Sequence, residues 1–123
     1  MIENRKSKSV AYQKAFSFSV KIISIDKELV NQKEFVLSKQ LLRSGTSIGA
    51  NISEAIGAYT KPDFRAKVSI AHKEACETEY WLELLYSTHF LKKQDFDELY
   101  SQVTELNKII SKILITTSTK LNH

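Results

Sequence analysis

Three glycines, one proline, one cysteine, one methionine and one tryptophan in 123 residues leave several architectures without their raw materials. So few turn formers exclude an all-β sandwich or barrel, whose many tight connections consume glycine and proline, and they exclude collagen-like and low-complexity chains. A single cysteine, Cys76, excludes an internal disulfide framework and a four-cysteine zinc site. Long apolar runs are missing too. The longest uncharged stretch, Ser44 to Ser53, is half polar and carries Gly45 and Gly49, whereas a membrane span needs roughly 20 apolar residues. Near the N-terminus Arg5, Lys6 and Lys8 precede an apolar-looking stretch, but Lys14 and Lys21 interrupt it at helical spacing, as no export signal would. A cytoplasmic protein with no membrane partner is the expectation. Charge of one sign is scarce as well: the net charge is +4, with six basic against three acidic residues in Met1 to Val30. That excess permits nucleic-acid contact without requiring it.

What the sequence does have is helical periodicity. Ala11, Ala15, Phe18, Ile22, Ile25 and Leu29 alternate in steps of four and three, which puts them on one stripe of a helix spanning about 7–31. Leu41, Gly45, Ile48, Ile52, Ala55 and Tyr59 do the same over 35–59. Pro62 and Asp63 suit the first turn of the next helix, 62–88, whose stripe is Phe64, Val68, Ala71, Ala75, Thr78, Leu82 and Leu85. Phe96, Leu99, Val103, Leu106, Ile110 and Ile113 mark a last helix over 95–116, with a patternless tail expected to fray from Thr116. Amphipathic helices joined by short connections fold as an all-α, antiparallel up-and-down four-helix bundle, here a single domain over 1–123. Gly45, Gly49, Ser53 and Gly57 recur every four residues, and such a ridge of small residues lets another backbone approach closely.

The sequence holds more apolar surface than one stripe per helix. Tyr12, Phe16, Ile23 and Val30 form a second line on the first helix; Ile70, Trp81 and Leu84, interleaved with Glu74 and Glu77, form one on the third. Large apolar residues rimmed by polar ones mark an association surface, with Arg43, Tyr80 and Trp81 as its anchors, although a widened core stripe gives the same pattern. Antiparallel pairing of the second and third helices sets Arg43 level with Glu77 or Glu74, and Glu54 level with Lys67.

Motifs for catalysis are missing. No Glu-x-x-His pair offers a di-iron site and no phosphate-binding Gly-x-x-x-x-Gly-Lys loop occurs; Gly45-Thr46-Ser47-Ile48-Gly49 has the letters of Gly-x-Ser-x-Gly, but it lies within a continuous helical stripe and not at the strand-to-helix turn that the elbow needs. His72 and Cys76, with Glu79 and Glu83, make the best metal-like or nucleophilic cluster, but on a helix face opposite the core stripe, where no cleft forms. The expectation is therefore no catalytic residue, no metal and no cofactor. A basic strip is a better lead. If the first and last helices are neighbours, Lys14 and Lys21 fall near Lys108 and Lys112, with Arg5, Lys6 and Lys8 leading in.

Gln40-Leu41-Leu42-Arg43-Ser44-Gly45-Thr46-Ser47-Ile48-Gly49-Ala50-Asn51-Ile52-Ser53-Glu54-Ala55, then Ser69-Ile70-Ala71-His72-Lys73-Glu74-Ala75 and Glu77-Thr78-Glu79-Tyr80-Trp81-Leu82-Glu83-Leu84-Leu85, closely resembles the four-helix-bundle proteins encoded by bacterial 23S rRNA intervening sequences. Relatives in that family include an accessory protein of diversity-generating retroelements, a basic ring of five bundles that works beside a reverse transcriptase and nucleic acid. The resemblance implies a non-enzymatic homo-oligomer, a pentamer, associated with RNA or DNA. It marks Arg43, Asn51, Glu54, Glu74, Glu77 and Trp81 as framework or interface residues; Ser47, Tyr80 and Leu84 join them on the same helix faces. The basic residues lie outside the matched blocks. A scaffold or accessory subunit for a protein partner is the alternative reading.

Overall fold

The computed structural model describes residues 2–121, with side chains from Arg5 to Ser118. Five helices occur among them: α1 (Ile2–Lys8), α2 (Val10–Asn31), α3 (Val36–Ile56), α4 (Lys61–Ser87) and α5 (Lys93–Leu121). The four long ones form a ring in which α2 touches α3, α3 touches α4, α4 touches α5 and α5 closes onto α2. Short α1 leans on α2 and α3. This is the helical bundle that the alternating stripes predict, built because each stripe finds the other three.

The first helix begins differently from expectation. It is broken at Ser9, whose extended backbone (φ −85°, ψ 113°) stops α1 and whose hydroxyl accepts from Tyr12 N at 3.1 Å, capping α2. Thr60 starts α4 in the same way, accepting from Asp63 N at 3.1 Å, with Pro62 in the first turn. The last helix is longer than expected: α5 runs past Thr116 to Leu121, and Thr117 donates to Ile113 O at 2.8 Å.

Every residue of the α2 stripe is buried, as are Val68, Ala71, Ala75, Thr78, Leu82 and Leu85 of α4 and Leu99, Val103, Leu106 and Ile110 of α5. Burying the Val, Leu, Ile and Phe side chains among them contributes about 1.5–3 kcal/mol each. On α3 the stripe holds from Leu41 to Ala55 but not to Tyr59. The helix ends three residues earlier, at Ile56, so Tyr59 stands in the turn and is fully exposed.

The small-residue ridge narrows to one essential position. A Cβ on Gly45 would lie 2.9 Å from Cγ1 of Ile22, closer than packed carbons tolerate, so what this position admits is the Ile22 side chain of α2. At Gly49 the nearest atoms, Ala15 Cβ and Ser19 Oγ, are 3.5 Å away, an ordinary contact. Gly57 meets no other helix; it caps the end of α3.

Candidate nucleic-acid interface

The α3–α4 seam is stitched by the residues that the motif singles out. Arg43 pairs with Glu74 at 3.0 Å and also with Glu77, and Trp81 Nε1 donates to the same Glu77 carboxylate at 2.9 Å. About three turns along the seam, Lys67 reaches Glu54 at 3.1 Å. Asn51 donates to the Ser47 carbonyl at 2.8 Å, and the buried Ser44 and Thr78 hydroxyls meet at 2.9 Å. Arg43 therefore finds both candidate partners within its own chain. Trp81 and Leu84 are half-buried, while Tyr80 remains 57% exposed and packs edge-on against Trp81.

The cluster around Cys76 is placed differently from the sequence reading. Rather than facing away from the bundle, half-buried His72 and Glu79 border the α4–α5 seam, because α5 wraps onto that side of α4. His72 Nδ1 lies 2.6 Å from Asn107 Oδ1, its Nε2 lies 3.9 Å from Cys76 Sγ, and Asn107 Nδ2 donates to that sulfur at 3.5 Å. Asn107 is thus the third group that a thiol and imidazole pair calls for, and the linear sequence hid it 31 residues away. Cys76 itself sits exposed on the convex outside of a helix, without walls to hold a substrate. Burial, then the neighbouring Glu83 carboxylate, push the Glu79 carboxyl above the usual range, against the opposing pull of His72 and Asn107. Tyr100 donates to Glu83 at 3.0 Å, which holds its phenol protonated beyond the ordinary value. No group of three or more His, Cys, Asp or Glu among the described residues could hold a metal ion.

The basic strip does not assemble as a strip. Lys14 pairs with Glu105 at 3.1 Å and Lys21 pairs with Glu98, so the α2–α5 register sets both lysines beside acids rather than beside Lys108 and Lys112. Lys108 and Lys112 stand one turn apart on α5, bordering a shallow hollow with Glu79, Thr104 and Asn107. A second set of cations collects at one end of the bundle. Arg5 Nη1 donates to Ile56 O at the end of α3 (3.3 Å), Lys6 lies 5.3 Å from the Tyr12 ring centre, and exposed Lys8 closes α1. Lys61 opens α4, Arg65 donates to Leu114 O and Thr117 Oγ1 of α5 at 3.3 Å, and Lys112 lies with Phe64 and Thr117 around one hollow.

Arg5, Lys6, Lys8, Lys61, Arg65 and Lys112 thus share this end with the single acid Asp63, Glu54 being taken by Lys67, among the described side chains. Sequence reasoning missed Lys61 and Arg65 because they lie in a different helix from the N-terminal cluster. The packing of α1 onto α3, and of α4 onto α5, brings them together. Diagonal to α4, three members of the second line of α2 are exposed, Phe16 at 56% with Ile23 and Val30, and Val20 beside them is 56% exposed, while Tyr12 of the same line is half-buried against the core. No helix among the described residues is long and apolar enough to cross a membrane.

Comparison with known proteins agrees with this architecture. The family model of the 23S rRNA-intervening sequence protein matches residues 7–112. A solved structure from Bacteroides thetaiotaomicron, described as a protein of unknown function from the S23 ribosomal protein family, aligns with a TM-score of 0.84 and 51% identity over 85% of this chain and 98% of that one. No curated protein matches.

Proposed function

Because the chain belongs to the 23S rRNA-intervening sequence protein family, we propose that it is a cytoplasmic, non-enzymatic, self-associating bundle that binds the backbone of RNA or DNA with little sequence preference. The observation that carries this reading is the cationic end: Arg5, Lys6, Lys8, Lys61, Arg65 and Lys112 against Asp63. Cations without acid partners are free to replace the counterions of phosphates, and the release of those ions is what drives sequence-independent binding. Lys14 and Lys21 contribute less to such a surface, because their charges are already matched by Glu105 and Glu98. Self-association is favoured by the bare α2 stripe. A ring of five, the assembly implied by the resemblance, would repeat the cationic end and multiply phosphate contacts without any new residue.

Reversing three of these charges, Arg5→Glu, Lys61→Glu and Lys112→Glu together, tests the reading. Binding to a labelled structured RNA, followed by anisotropy across a salt series, should weaken by about 100-fold at low salt, with a flatter dependence on salt. Far-ultraviolet circular dichroism should stay helical. Unchanged affinity and slope would overturn the proposal. The exposed α2 stripe also favours a second reading, a scaffold for a protein partner with no direct nucleic-acid role; its mark is a partner that stays bound after nuclease treatment.

A further inference from the structure

Of the five tyrosines, Tyr12 packs near Phe16, Tyr80 meets Trp81 edge-on, and Tyr86 and Tyr100 stack on either side of Phe96. Tyr59 makes no ring contact and no hydrogen bond among the described residues, and its exposure is 102%. It holds nothing of the fold together, yet the backbone around it is fastened on both sides. Gly57 N and Ala58 N bond back to Glu54 O (3.1 Å) and Ala55 O (3.0 Å), while Thr60 receives Asp63 N through its side chain and Phe64 N through its carbonyl at 2.9 Å. One exposed ring is ordinary on a protein surface; what sets Tyr59 apart is that its turn is fastened on both sides and that cations flank it.

The neighbours say what the ring can meet. Arg5 is fixed at Ile56 O, three residues before the ring, and Lys61 follows two residues after it. At 3.8 Å per Cα step, the Cα atoms of Ile56 and Lys61 lie at most about 11 Å and about 8 Å from that of Tyr59, and the Arg5 guanidinium sits a further 3.3 Å beyond the Ile56 carbonyl. A bare aromatic between cations is the arrangement that holds single-stranded nucleic acid: charge follows the phosphates and the ring stacks on a base. In a duplex the faces of the bases are already covered by their neighbours, so the ring can add nothing there. Every base has a face to stack, which keeps the contact tolerant of sequence.

Resting on the proposed nucleic-acid reading, we infer that the cationic end is a platform for unpaired RNA or DNA, with Tyr59 stacking on an exposed base between Arg5 and Lys61. The test uses the full chain, a labelled 20-nucleotide oligoadenylate, and a labelled 20-base-pair duplex. Tyr59→Ala should weaken single-strand binding about tenfold and leave both the duplex affinity and the salt slope unchanged, since no charge is lost. Tyr59→Phe, which keeps the ring, should restore single-strand binding. A single-strand affinity untouched by Tyr59→Ala, or an equal loss on both probes, would overturn the inference while leaving backbone binding standing. A wild-type chain that binds neither probe would overturn both.

Discussion

The two ends of the bundle are built on different terms. At the end holding the α2–α3 and α4–α5 turns, α2 and α4 finish in the same motif: Glu34 N bonds to Leu29 O (3.0 Å) and Phe90 N to Leu85 O (2.9 Å), with Lys33 and His89 in the left-handed region at φ 64° and 68°. Gln32 Nε2 then donates to Phe90 O at 3.2 Å, tying one turn to the other, and Leu91 drops into the core. Charges there alternate: Glu34 caps the first turn of α3 through Leu37 N and Ser38 N, and Lys93 pairs with Asp97 at 2.7 Å. At the opposite end the cations have hardly any acids to answer them, and the turn displays a ring with no contact. The polar side chains named at the first end serve the fold, although Phe35 and Val36 are exposed there too. At the second the charged ones are left over, and surplus charge beside an idle aromatic is what a binding surface looks like before it binds.

That contrast can be broken most forcefully at the structural end. Leu91→Ala should lower unfolding free energy by about 2–4 kcal/mol in urea titration while leaving nucleic-acid affinity unchanged; a loss of affinity in folded protein would mean that both ends bind. A milder change sharpens the same point. His89→Gly removes a side chain from a left-handed position, where the relief of about 1–2 kcal/mol exceeds the extra chain entropy of about 0.5–1 kcal/mol. The melting temperature should rise by a few degrees, with binding untouched. The smallest effect is expected midway along the bundle, where Lys14→Ala with Lys21→Ala breaks two partly exposed ion pairs. Such pairs contribute about 0–1 kcal/mol each. Affinity should fall far less than for the charge reversals at the cationic end, and a comparable fall would move the binding surface back to α2.

The fold was legible because its signal is local and redundant. Six stripe residues on α2, from Ala11 to Leu29, all turn out buried, since a helix that must hide one face writes it into the sequence every three or four residues. The glycine ridge was legible too, though only Gly45 proves to be a strict requirement, because the closeness of Ile22 depends on the crossing of α2 and α3. The candidate site was legible in part. Arg5, Lys6, Lys8 and Lys112 stand out as charges, but Lys14 and Lys21 read as equals of theirs until the α2–α5 register gave them Glu105 and Glu98.

By itself, then, the sequence determined the helices, the faces they bury and the bundle those faces make, because apolar periodicity and scarce turn formers act within a few residues of chain. Only the tertiary structure decided which charges cancel, that Asn107 joins His72 and Cys76, and that Tyr59 leaves its stripe for water. Those outcomes depend on the register between helices and on where each helix stops. A shift of one turn would trade every partner across a seam while keeping every stripe intact.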